Sequence, residues 1–373
     1  MIDKEVKLPF YVKVVFIFIG IFAILAGLYI AKSLIIPLVF ALLIAILLNP
    51  VVNFFIRIHI NRVVAIVITL FLSIVILAAI GFLLFAHISR FTESWPLLVD
   101  NFTLLLNQII HWTSGYFDIN QWKIHQWIAD TKGDLIDKLS STMGKTLVTI
   151  GSGIVIMFLI PVYIFLLLFY KPLLLEFIHK LFPASHQKKV GEIVSKTKTV
   201  IQRYLIGLVI ELVIMATLNS VALLIIGIDY AILLGVIGAF LNIIPYIGGV
   251  TAVALPMMIA LATKSSGWYA LYVLAAYYAI QLIDNNYIVP KIVASKVKIN
   301  ALFAIIVVLA GNALWGLTGM FLSLPVLAVI KLIFDHIEPL KPWGFLLGDT
   351  MPPIIKIKEI FEKATKAVKK EAT

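Results

Sequence analysis

The run WYALYVLAAYYAIQLIDNNYIVPKI, residues 268–292, is apolar for most of its length and then turns polar. Tyr277, Gln281 and Asn285 recur at i, i+4 and i+8, Asp284 stands three positions after Gln281, and Asn286 follows. On a helix Tyr277, Gln281 and Asn285, with Asp284 beside them, form one stripe on an otherwise greasy rod. A carboxylate inside a membrane is costly unless paired or wetted, so such groups usually mark an ion or solute path. The amides beside Asp284 supply donors and acceptors that could coordinate a polar solute or a small cation. The competing reading is a helix end at the water interface. There Asp284, Asn285 and Asn286 cap the backbone and face Lys291, while Pro290 ends or kinks the helix. Capping needs one side chain rather than four, which favours a coordinating patch. At about 1.5 Å per residue, Asp284 lies roughly 25 Å along from Gly267, towards the cytoplasmic end.

Two interrupted apolar regions flank that helix. Residues 230–263 break at NIIPYIGG, and residues 299–334 break at GNALWGLTG. Each half is short for a full crossing, and each centre is rich in Gly, Pro and Asn. Interrupted segments of this kind point to a transporter's binding site. Asn242, Pro245, Tyr246, Gly248 and Gly249 mark the first tip, and Gly311, Asn312, Gly316 and Gly319 the second. Proline removes a donor and glycine permits tight turns, leaving carbonyls that must be buried in protein or line a wet cavity. Tight helix packing through small residues is the alternative for the glycines. Re-entrant hairpins and pairs of short tilted helices both fit these regions. Glu211, inside the apolar run RYLIGLVIELVIM, either snorkels to Arg203 or is a buried, proton-carrying carboxylate; Asn219, eight positions on, shares its face.

The chain that positions these groups has 373 residues, 62% hydrophobic and only 13% charged, with a mean hydropathy of +1.08. A soluble domain carries about 25% charged residues. Too little polar surface exists to coat a globule in water, so the composition predicts an integral membrane protein. The net charge of +11 comes from lysines beside apolar runs, as in cytoplasmic loops over anionic lipid, and no aromatic-basic nucleic-acid module occurs. Cysteine is absent, His87 and His111 are isolated, and no phosphate-binding loop, nucleophile elbow or HExxH motif occurs. The chain is therefore read as neither an enzyme nor a metal or cofactor protein.

A bilayer core of about 30 Å needs about 20 apolar residues per helix. Residues 14–31, 34–49, 63–87, 147–170, 204–227 and 268–288 meet or approach that length. The first run lacks a small-residue cleavage site and reads as a retained helix. Alternating these spans places the basic N-terminal tail, the loop near 50–62, the lysine-rich loop 171–200 and the lysine-rich C-terminal tail on one side, the cytoplasm. The units are then residues 1–87 (three spans), 88–146, 147–203 (a fourth span and basic loop), 204–348 (a transport core) and a basic tail, 349–373. Residues 88–146 fall outside; with Trp95, Trp112, Trp122 and Trp127 they read as amphipathic helices lying on the outer surface or packed on the bundle, rather than a separate domain.

The blocks IPYIGG (244–249), LP (255–256), QLIDNNYIVPKIVASKV (281–297) and GNALWGLTGMFLSLPVLAVIK (311–331) resemble, in order and spacing, the autoinducer-2 exporter (AI-2E) family of bacterial permeases. Weaker likeness in residues 34–62 and in LIPVYIFLLLFYK (159–171) extends it over nearly the full length. The resemblance implies an all-α polytopic bundle with about eight spans in the bacterial cytoplasmic membrane. It also implies a homo-oligomer, and either export of autoinducer-2 or sodium/proton antiport. Asp284 departs from the family's commoner glutamate, Gly249 and Ala301 from commoner prolines.

Three functions follow as expectations. The first is a secondary transporter moving a small polar solute outward by alternating access, with Asp284, Asn285, Asn286 and Gln281 in contact with solute and both broken tips as gates. The second is a cation/proton antiporter handling Na+ or H+ through Asp284, with Glu211 as a second acid. The third is an oligomeric scaffold or passive pore. Membrane lipid is the surrounding partner in all three, and nucleic acid is a partner in none.

Overall fold

The computed structural model describes residues 9–117, 158–244, 248–264, 266–293 and 299–349. These residues are helical almost throughout, and no strand occurs among them. The chain is an all-α, polytopic membrane protein. Rows of exposed large side chains, such as Phe18, Phe22 and Phe82 on the first and third helices, leave an exterior that only lipid can cover.

Helices α1 (Phe10–Ile30) and α2 (Lys32–Arg57) are separated by Ala31 alone. Helix α3 (Arg62–Phe117) follows a short turn, and α4 (Phe158–Phe169) bends by 60° into α5 (Lys171–Lys180). Small residues Ala41, Ala45 and Ala65 let α2, α3 and α4 meet closely around Ile66, Ile164 and Leu168. Buried Asn49 on α2 accepts from Lys171 Nζ at 2.8 Å, and Arg62 donates to the Leu168 carbonyl, so two polar ties close this subbundle.

Two helices exceed the expected spans. Residues 62–117 form one helix, about 84 Å long. Residues 88–117 thus continue α3, and of the two expected placements they take the one packed on the bundle. Leu98 enters a core with Leu234, Ile259 and Val273, Phe91 meets Tyr230 edge-on at 5.4 Å, and Asn101 donates to the Ala262 carbonyl at 3.2 Å. The rest of the expected outer segment, 118–146, lies outside the described residues, as do 147–157 of the expected fourth span. Likewise the expected basic loop 171–200 is helical: α5 fills its first third, and α6 (Ala184–Ile226) begins immediately after Pro183. Lysine, glutamine and glutamate are good helix formers, so the ladder continues past the point where apolarity stops. Helix α6 ends at Gly227 in the left-handed conformation, with Ile228 N–H bonded back to the Leu223 carbonyl.

Helix α6 is the hub, touching α2, α5, α7, α9 and α10. Helices α7 (Ala231–Asn242) and α8 (Gly248–Thr263) form the first broken region, a hairpin whose legs are about 18 and 24 Å long, each too short for a full crossing. Gly235 seats α7 against α6; a Cβ there would lie 2.5 Å from the Ser220 nitrogen. Helix α9 (Trp268–Ile283) runs straight into a π-helical segment, Asp284–Val293.

Helix α10 (Ala301–His336) is the second broken region. Its 36 residues are apolar enough to cross as one rod, yet the helix breaks at Trp315 (φ −135°, ψ 15°) and Gly316 (φ 63°, ψ −143°). The chain reverses there. Ser323 Oγ donates to the Val307 carbonyl at 2.9 Å, although a straight helix would hold these residues about 24 Å apart. Gly311 and Gly319 touch backbone to backbone across the reversal. Both interrupted regions are therefore helical hairpins. Helix α11 (Lys341–Leu347) closes against the end of α10, and Lys331 pairs with Asp335 at 2.6 Å on the last turns of α10.

Candidate solute-binding site

Three elements converge on one polar point. Helix α6 contributes Glu211, 5% exposed; the end of α7 contributes Asn242; the first residue of the π-helical segment is Asp284, 1% exposed. Asn242 Nδ2 donates to Asp284 Oδ2 at 2.9 Å and stands 3.5 Å from Glu211 Oε1. Gln281 Nε2 lies 3.4 Å from both Asp284 Oδ2 and Asn285 Oδ1, so one amide is shared between the acid and its neighbour. Asp284 Oδ1 and the Tyr277 hydroxyl, both buried, have no hydrogen-bond partner among the described residues.

The helical register explains this selection. An i→i+5 stretch winds more loosely than an α-helix, and such stretches recur at functional sites. Here Asp284 turns inward while Asn285 and Asn286 stay exposed. Asn286 donates to the Leu282 carbonyl at 2.8 Å, where the α ladder gives way to the π ladder, and takes no part in the polar point.

Around these groups lies a cavity of about 850 Å³. Glu211, Asn242, Gly249, Tyr277, Gln281, Asp284 and Asn285 all line it, and so does the open end of the α10 hairpin through Ala304, Leu324 and Ala328. It opens at the edge carrying Val250, Tyr278 and Asn285, whose side chains are exposed. The first hairpin's tip forms part of the wall. Gly248 tucks against the Leu241 carbonyl, and a side chain at Gly249 would strike Gln281 Oε1 at 2.7 Å. Pro245 and Tyr246, expected at this tip, lie outside the described residues.

The second tip is elsewhere. Gly311, Asn312, Gly316 and Gly319 are not in the cavity wall, and Asn312 is exposed. The expectation that both tips close on the acid patch is corrected: Trp315 Nε1 at the second tip donates to the Leu28 carbonyl of α1 at 3.1 Å. Gly311 and Gly319 serve the tight packing of the two α10 legs instead. The interface-cap reading of Asp284 is likewise excluded by its burial, and Glu211 faces inward while Arg203 is exposed.

Tyr204 and Tyr278 also line the cavity. Tyr204 was legible in principle, because Tyr204, Leu208 and Glu211 sit at i, i+4 and i+7 on one face of α6. Among the described residues, no lysine, arginine or histidine lines the cavity and no cluster of potential metal ligands occurs. Two buried carboxyl groups sharing one amide in a low-dielectric wall need a proton or a bound cation to offset their charge.

The chain as a whole is similar to known transport proteins. The model of the AI-2E family transporter matches residues 17–338. YrrI of Bacillus subtilis (strain 168) is 23% identical over 355 residues, covering 90% of this chain and 98% of its own. The AI-2 transport protein TqsA of Escherichia coli (strain K12) is 24% identical over 340 residues, covering 87% and 92%. PerM of Escherichia coli (strain K12) is 26% identical over 203 residues, covering 54% and 56%. The chain belongs to the AI-2E family of transporters.

Proposed function

We propose that this transporter moves a small polar solute outward across the bacterial cytoplasmic membrane by alternating access, with residues 204–348 as the moving core and both termini in the cytoplasm. One observation carries the reading: Asn242, at the end of the first hairpin's leading leg, is hydrogen-bonded to the buried acid Asp284 in the cavity wall. The element able to gate the cavity is thereby tied to the group able to hold the solute, so occupancy and hairpin position are coupled. The first hairpin is re-entrant on this reading, since neither of its legs is long enough to cross. The name of TqsA makes an autoinducer-2-like molecule the first solute to assay. The test is uptake into inverted membrane vesicles. Asp284→Ala and Asn242→Ala abolish uptake on this reading; wild-type uptake in both variants overturns it.

A second reading, cation/proton antiport, draws on the pairing of Glu211 and Asp284 about Asn242. It predicts a sodium-dependent change in vesicle pH that is lost in Asp284→Asn; a response that survives the substitution removes the acid from that role.

A further inference from the structure

The chemistry of the cavity wall narrows the solute class, an inference that rests on the transport reading above. The wall has two distinct regions. At one end Glu211 and Asp284 share the Asn242 amide, and Asp284 Oδ1, on a side chain 1% exposed, lacks a partner among the described residues. The Tyr277 hydroxyl, also buried and without a partner among them, belongs to the same wall. Elsewhere the wall is mostly carbon: Leu208, Ile243, Val253, Leu274 and Leu324 line the space, with Tyr204 and Tyr278 beside them and Gln281 and Asn285 as the remaining amides.

Each common solute class meets that wall differently. An anion would stand beside two carboxyl groups, whose charge disfavours it. A sugar-like polyol would satisfy the acidic end but leave hydroxyls facing aliphatic carbon, and every such unpaired hydroxyl costs binding energy. A bare alkali ion would use the acidic end alone, and about 850 Å³ lies in the range of cavities that enclose organic molecules. An organic ammonium ion matches both regions. Its N–H groups can donate to Asp284 Oδ1, Glu211 and the Tyr277 hydroxyl, its charge offsets the acids, and its hydrocarbon lies along the aliphatic wall.

We propose that the cavity takes small organic ammonium ions, the cationic head between Glu211 and Asp284 and the apolar body against the aliphatic wall.

The test is equilibrium binding to the full-length protein in lipid nanodiscs, with empty discs as blank, comparing methylammonium, butylammonium, butyrate, butanol and sodium ion. Affinity is expected to rise by about threefold to fourfold per methylene from methyl- to butylammonium, the increment of each buried CH₂. Butyrate and butanol are expected to bind at least about tenfold more weakly than butylammonium. Asp284→Asn and Glu211→Gln lower butylammonium affinity, whereas Asn312→Ala, on the exposed second tip, does not. The series on the unaltered protein keeps the proposal open to refutation even where an acid variant fails to fold. Equal affinity for methyl- and butylammonium together with sodium binding overturns it in favour of an inorganic-cation site. Butanol or butyrate binding as well as butylammonium overturns it also. If butylammonium does not bind while Asp284→Ala abolishes uptake of a neutral solute, this assignment falls and the transport reading stands. Butylammonium binding in a protein that carries no solute supports the assignment and removes the transport reading instead.

Discussion

Asn242 reaches Asp284 across the gap between a hairpin tip and a π-helical turn, with its Nδ2 2.9 Å from Asp284 Oδ2. The two residues are 42 positions apart, and this bond with the weaker one to Glu211 is what gathers the polar point.

Asn242→Leu keeps the size of the side chain and removes its donor. The buried carboxyl of Asp284 then keeps only the long bond from Gln281, at a cost of about 1–3 kcal/mol. The measurement is a thermal melt in detergent, read beside vesicle uptake. A lower melting temperature with lost uptake is expected; an unchanged melt shows that the bond contributes nothing to the fold.

Gly235→Ala places a methyl group 2.5 Å from the Ser220 nitrogen, and backbone atoms cannot swing aside. A loss of about 1–3 kcal/mol follows from overpacking the α6–α7 contact. Gly27→Ala on α1 is the control, because nothing lies within 4 Å of its new methyl. There the gain in helix propensity, up to about 1 kcal/mol, makes the change neutral or stabilising. Melting the two variants side by side checks the contrast.

The reversal at Trp315 and Gly316 is testable by crosslinking, since the chain contains no cysteine to interfere. Val307→Cys combined with Ser323→Cys is expected to form a disulfide under mild oxidation, because the Ser323 hydroxyl reaches the Val307 backbone carbonyl at 2.9 Å and the two legs therefore lie side by side. A continuous rod would keep them about 24 Å apart and free. Mass spectrometry of the oxidised double variant distinguishes the two.

Lys171→Met removes the donor to Asn49 Oδ1 and leaves that buried oxygen unpaired among apolar neighbours. A loss of about 1–3 kcal/mol is expected. Asn49→Leu in the same background restores much of it, since replacing both partners by carbon is nearly neutral. Failure of the second change to compensate would place the effect elsewhere.

Part of this site was open to reading from the residues alone. A carboxylate and amides on one greasy helix, and two apolar runs broken by Gly, Pro and Asn, led to Asp284, Gln281, Asn242 and a pair of hairpins. Glu211 was left between two readings because burial depends on what stands opposite, and the opposite helix is far away in the chain. The separation of Asp284 from Asn286 follows from their spacing, because positions two apart on a helix point to different faces. Helices α3 and α6 outran their expected ends because apolarity reports where lipid is, while backbone hydrogen bonds run on through polar residues. The second tip was misplaced for a different reason: Gly, Asn and Trp mark a turn but carry no address, and the carbonyl that receives Trp315 belongs to Leu28, 287 positions earlier.

That indole tether has a mechanical corollary. It fastens the opening helix to the far bend of the second hairpin at a single point, 287 positions apart in the chain. A shortened chain that begins after Ile30 would leave the Trp315 indole without that acceptor and the bend without that anchor.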